Sequence, residues 1–250
     1  MIQRLLFLSA AVAAPFVYAQ TPRRDLAGIW EPVPPNAAVS GSGAKAMPAD
    51  GQHEPPYTPY GLEVFKRNRP SNGPNQVSAI EDNDPAHICD PQGFPREDLF
   101  ELRATQIIQT PLQMVLLYTY DKIWRVIWTD GRELPKDPEA RWFGYSVGKW
   151  RDDSTFVAET NGTDERTWLD NAGRPHSDEL RVEEVFHLVD RDTMQLTVTI
   201  NDPKIYAKPW IALDKLIFKR QPPNRELAEM LCSPSETAAY NKRFGKAAGK

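Results

Sequence analysis

The chain has 250 residues, with 34 acidic against 30 basic side chains and 2 cysteines. A net charge of −4 without a basic cluster argues against nucleic acid and anionic membrane surfaces as partners, leaving small molecules or other proteins. A chain of this length can bury a core without a metal or a dense disulfide framework.

Residues 1–19, MIQRLLFLSAAVAAPFVYA, read as a secretory signal peptide: one cation (Arg4), an apolar run from Leu5, and small residues up to Ala19 ahead of Gln20. The apolar stretch is too short for a membrane anchor and Pro15 interrupts it, so cleavage after Ala19 is expected. The mature protein is then periplasmic or secreted, with no stable membrane insertion. In an oxidising compartment Cys89 and Cys232 are candidates for one disulfide; two buried free thiols are the alternative.

DLAGIW, ending at Trp30, predicts a first strand, and residues 20–104 read as that strand plus an extended Pro-rich arm. EPVPPNAAVSGSG, RPSNGPNQ and CDPQGFPRED are irregular backbone. Within the arm TPYGLEVFKRN predicts a helix capped by Thr58, with Pro59 in its first turn and Leu62 and Phe65 along one side. Tyr57, Tyr60, Phe94 and Phe100 imply that the arm packs on the rest of the chain.

From Thr105 to Arg220, about eight β-rich runs alternate with short turn formers, which predicts an antiparallel meander within one domain. MQLTVTI places Met194, Leu196, Val198 and Ile200 on one face. In ELRVEEVFHLV the apolar parity of Leu180, Val182, Phe186 and Leu188 also carries Glu184, expected to point inward, as either a buried acid or a rim residue where the strand leaves the barrel; if it is inside, Arg125, between Ile123 and Ile127, is its candidate partner. Residues 221–250 read as a helical tail closing one barrel end. Its helices are NRELAEML, capped by Asn224, and SPSETAAYNKRF, opened by a capping box at Ser233 and Glu236.

Two resemblances follow. Gly28-x-Trp30, ahead of a meander whose last run ends in Lys219-Arg220, resembles the lipocalin and calycin pattern. That resemblance implies an all-β, up-and-down barrel in which a cation from the last strand covers the tryptophan. The blocks CDPQGFPRE, IWTDGRELPKDP, GYSVGKW, TWLDNAGRPHSDELRVEE and NDPKIYAKPW resemble a large, poorly characterised family of exported bacterial proteins, from PPYTPYGL to CSPSE. The sequence departs from that family at GKWRDDSTFVAET, where a glycine is more usual between tryptophan and aspartate. The family implies compartment and architecture and no particular chemistry.

Counting an antiparallel meander puts three polar connections at one barrel end: Asp130 to Glu133, Thr163 to Asp178, and Asn201 to Lys204. His176, Asp178, Asp130 and Arg132 are candidate catalytic residues. The imidazole would act as acid or base, Asp178 would orient it, and Arg132 would stabilise negative charge. Asp202, Tyr206, Trp168, Glu184 and Arg125 are candidate ligand-binding residues. The competing reading is structural: His176 and Asp178 cap a turn, Asp130 and Arg132 form a surface pair, and Asp202-Pro203 is a turn dipeptide.

The four histidines have no metal-binding spacing, and neither a nucleophile elbow, a phosphate loop nor a dinucleotide fingerprint occurs, so no cofactor or metal is expected. Two functions stay open: a cofactor-independent acid/base enzyme (lyase, isomerase or hydrolase) acting on a small apolar or aromatic molecule, and a non-catalytic carrier of such a ligand. The oligomeric state is not encoded in any motif.

Overall fold

Alternation of apolar and polar residues with a period of two, repeated over nine short runs, builds a closed nine-stranded barrel. It is seen in a computed structural model that describes residues 24–33, 54–78, 81–100, 102–240 and 242–243. The expected signal peptide and the first part of the arm lie outside these residues. The strands are β1 (Gly28–Pro32), β2 (Thr105–Gln109), β3 (Gln113–Tyr118), β4 (Trp124–Trp128), β5 (Tyr145–Trp150), β6 (Thr155–Asn161), β7 (Arg181–Asp190), β8 (Thr193–Asn201) and β9 (Trp210–Arg220), which closes onto β1.

A closed ring with an odd number of strands cannot reverse direction at every junction. One junction must be parallel, and it is β4 against β5, paired only at Ile127 with Ser146 and Trp128 with Val147. The connection from 129 to 144 therefore does not turn back at once. It starts where β4 ends, at the end of the barrel where the amide of Thr129 donates to the carbonyl of Leu112 in the β2–β3 turn. It finishes at the opposite end, where the side chain of Asn161 donates to the carbonyl of Pro135 and the amide of Arg141 to that of Gly162. Every connection after β4 is thereby shifted by one half-turn relative to an unbroken meander.

The core follows the sequence parity. Leu180, Val182, Met194, Leu196, Val198 and Ile200 are all buried, together with Phe156 and Phe186. Trp30 is fully enclosed; its indole donates to the carbonyl of Leu26 (2.9 Å), and the guanidinium of Arg220 lies 4.4 Å from its ring centre while donating to the carbonyl of Ala27. Gly28, at φ 137°, leaves room for that guanidinium, since a Cβ would lie 2.8 Å from its nitrogen.

The arm covers the end of the barrel that holds the β6–β7 and β8–β9 connections. Helix α1 (Pro59–Arg67) forms as read, with Thr58 accepting from the Gly61 amide (2.9 Å). Its buried side carries Phe65; Leu62 turns outward and is 39% exposed, because Gly61 instead meets the Ile205 carbonyl. A short helix, α2 (Arg96–Leu99), and the residues before it insert Phe94 and Leu99 into the core.

The tail departs from expectation. Residues 224–231 are irregular, not helical, because they are held at several points: Arg225 by Glu31, Glu229 by Lys122, Met230 by a bridge to Tyr120, and the Cys232 amide by Asp121. A helix with only Leu227 and Met230 partly buried has no apolar face to offset its ordering cost. Helix α3 (Pro234–Tyr240) forms, starting at Ser233 as the capping box indicates. The barrel end is closed by the arm, and the tail is bound to that arm by the Cys89–Cys232 disulfide, with Cα atoms 5.5 Å apart. The bridge closes a separation of 143 residues. The chain-entropy model assigns such a loop about 5 kcal/mol, so Cys89→Ala should lower the unfolding free energy by roughly that amount in denaturant melts. A loss below about 1 kcal/mol would contradict it.

Candidate functional site

In β4 one inward position carries a charge and two outward positions carry tryptophans. Arg125 and Ile127 face inward and are buried, while Trp124, Val126 and Trp128 face outward. The buried guanidinium is satisfied on every side. It forms a two-point pair with Glu184 of β7, donates through Nε to Ser146 (3.0 Å) and through Nη2 to Thr160 (3.1 Å), and lies 3.7 Å from the ring centre of Phe94. Ser146 and Thr160 share a further hydrogen bond of 2.8 Å. The inward placement of Glu184 and its pairing with Arg125 match the parity reading.

Asp98, delivered by α2, completes the cluster 3.8 Å from Arg125. Burial, reinforced by the neighbouring Glu184 charge, raises its carboxyl well above the ordinary aspartate value and shifts it toward the neutral acid. The Tyr118 hydroxyl is likewise pushed up, by burial and then by Asp98. Burial opposes the Arg125 charge, but Glu184, Tyr118 and Asp98 together outweigh it, so the guanidinium stays charged. The two carboxyls therefore have different roles: Glu184 is the counter-ion and Asp98 a hydrogen-bonding acid. Glu184→Gln should cost about 3–5 kcal/mol of stability, as expected when a buried charge loses its partner. Asp98→Asn, which keeps a neutral polar group, should cost about 1 kcal/mol or less at neutral pH. Equal losses for the two variants in chemical denaturation would overturn this division of roles.

Because β4 and β5 pair at only two positions, Ile127 with Ser146 and Trp128 with Val147, the chain segments before those pairs lie apart, and a cleft of about 210 Å³ opens in the barrel wall. Trp124, Trp128, Phe143 and Tyr145 form its apolar walls, Arg141 stands at its edge, and Arg125 and Ser146 lie at its base. Trp124 is 65% exposed. Arg141 stacks on Tyr145 (4.1 Å), and Arg132 covers Trp128 (3.6 Å). Among the described residues, the space in the barrel bore between Trp30, Phe186 and Phe218 is about 20 Å³, room for a single water. Two larger grooves, of about 320 and 430 Å³, run along the outer face of β6, β7 and β8. They are lined by mixed charges such as Glu159, Arg181, Asp178 and Lys136, without an aromatic ring.

The residues read as a catalytic mouth are divided between the two barrel ends. Asp130 and Arg132 follow β4 directly and sit opposite the arm end, because the parallel junction displaces them from the meander count. They form an exposed pair at 2.6 Å around Gly131, the turn of the competing reading. His176, Trp168, Asp202 and Tyr206 do share the arm end, where all four are buried. The imidazole is buried, with Nε2 2.7 Å from the Thr167 hydroxyl and Nδ1 3.3 Å from the Ser177 carbonyl.

Asp178 is exposed and pairs with Lys204 (2.8 Å), so it does not orient the ring. Asp202 accepts from the amide and hydroxyl of Ser177 and from the Ile205 amide. The Tyr206 hydroxyl donates to the Pro175 carbonyl, and Trp168 bridges Pro175. The arm seals these loops through Glu54, which pairs with the buried Arg174 (2.7 Å), and through Asn68, whose amide donates to Gly173.

Sequence reasoning missed the cleft residues Trp124, Trp128, Arg141, Phe143 and Tyr145, and the acid Asp98. A signal for the first two existed: placing Arg125 inward with Ile123 and Ile127 forces both tryptophans outward. The signal for the rest depends on the parallel junction. No family model, curated protein or solved structure matches the chain.

Burial lowers the pKa of His176 below its ordinary value. The unfolded chain then takes up the proton first as pH falls below about 6.5. The contribution of His176 to stability is full above that pH and is lost as pH drops toward the folded-state value. The stability advantage of the unmodified protein over His176→Gln should therefore shrink between about pH 6.5 and pH 5. A constant or growing advantage in urea titrations over that range would contradict a buried neutral imidazole.

Proposed function

We propose that the protein is an exported barrel that binds a flat, aromatic small molecule on its wall, in the cleft between β4 and β5, and does not turn it over. The observation that carries this reading is the contrast between a filled bore and a wall cleft with four aromatic side chains. Concave sites with aromatic walls and a few polar groups at the base are suited to such ligands, because stacking adds to the burial of apolar area. Export is supported by the signal-peptide pattern and by the Cys89–Cys232 bridge, which persists in oxidising compartments. The lipocalin-like resemblance is supported by the Arg220 guanidinium over Trp30.

The acid/base alternative has less support. Both ring nitrogens of His176 are engaged, Arg132 is neutralised by Asp130 at the other end, and Asp202 is committed to capping. Quenching of tryptophan fluorescence by naphthylmethanol, a neutral flat probe, tests the cleft. Trp124→Ala should weaken its binding about tenfold, equivalent to about 1.4 kcal/mol. Unchanged affinity in that variant, or weakening by Phe186→Leu in the bore, would place the ligand elsewhere.

A further inference from the structure

The charges around the cleft are unbalanced. Its lining contains two cations, Arg125 and Arg141, and no carboxylate. Arg125 is neutralised by Glu184 and its donors are occupied by Ser146 and Thr160. Arg141 differs. Its backbone is anchored, with its amide donating to the Gly162 carbonyl (3.0 Å) and its own carbonyl accepting from the Asp164 amide (3.0 Å). Its side chain lies over the Tyr145 ring and makes no ion pair among the described residues. The nearest acidic neighbour along this anchor, Asp164, is taken by Arg166 at 2.6 Å. Asp130 is taken in the same way by Arg132.

A guanidinium held against an aromatic face keeps its in-plane N–H donors directed outward, and a planar fork of donors matches a carboxylate at two points. The stack on Tyr145 also limits the freedom the side chain would lose on binding. We infer that the cleft selects planar aromatic anions, such as aromatic carboxylates, with the ring between the cleft's aromatic walls and the anionic group on Arg141. The inference rests on reading the cleft as the ligand site and adds to it the charge of the ligand. Ser146 is already bonded to Arg125 and Thr160 and Arg125 to Glu184, so among the described residues Arg141 is the charged lining group without an ion-pair partner.

The test compares two probes of equal shape, naphthoate and naphthylmethanol, on the full mature chain by fluorescence quenching or calorimetry. The unmodified protein should bind naphthoate about tenfold tighter than the alcohol, and that preference should fall as salt rises. Arg141→Gln should abolish the preference by weakening naphthoate alone, leaving the alcohol within about twofold, and Arg141→Lys should restore part of it. If the alcohol binds and naphthoate binds no better, or if Arg141→Gln leaves the preference intact, the anion assignment is overturned while the cleft reading stands. If neither probe binds the unmodified protein, the cleft reading falls and the anion assignment with it.

Discussion

The structure depends on one buried ion pair. Holding a guanidinium inside a barrel wall carries a desolvation cost of several kcal/mol, and it is tolerated here because Glu184 meets it at two points while Ser146 and Thr160 take the remaining donors. Those partners come from β5, β6 and β7, and Asp98 comes from the arm. The pair thus ties four separate parts of the chain to β4. It also fixes the facing of β4: with Arg125 inward, Trp124 and Trp128 must lie outside, where a wall would ordinarily be polar.

The second constraint is one of number. Nine strands cannot close with every neighbour antiparallel, and the odd junction is placed at β4 and β5, where pairing is shortest. The crossover needed to start β5 from the other end carries Arg141, Phe143 and Tyr145 past the outward tryptophans of β4. A cleft with aromatic walls results from the two constraints acting at the same junction. Among the described residues, Phe94, Trp30 and Phe156 belong to the packed core, and the aromatic cleft lies in the wall.

What could be read from the sequence divides along the range of the interactions. Strand faces are local, so MQLTVTI and ELRVEEVFHLV disclosed their buried residues and even the inward carboxylate of Glu184. Thr58 disclosed the start of α1 for the same reason. The direction of β5 is not local: nothing within WFGYSVGKW marks it as parallel to its neighbour, and that single reversal moved Asp130 and Arg132 to the opposite end from His176. The tail was misread because NRELAEML has good helix formers, while Met230 and Cys232 are held by distant partners. The burial of His176 could not be read locally, since the arm residues that cover its loop lie over 100 positions earlier.

We propose that a ligand binds this barrel through the wall and not in the bore. Anomalous diffraction from crystals soaked in a bromonaphthoate tests it directly, because the bromine marks one position without reference to any variant. The account predicts a peak between Trp124 and Tyr145, within reach of Arg141. A peak inside the barrel among Trp30, Phe186 and Phe218, or along the outer groove of β6 to β8, would contradict it.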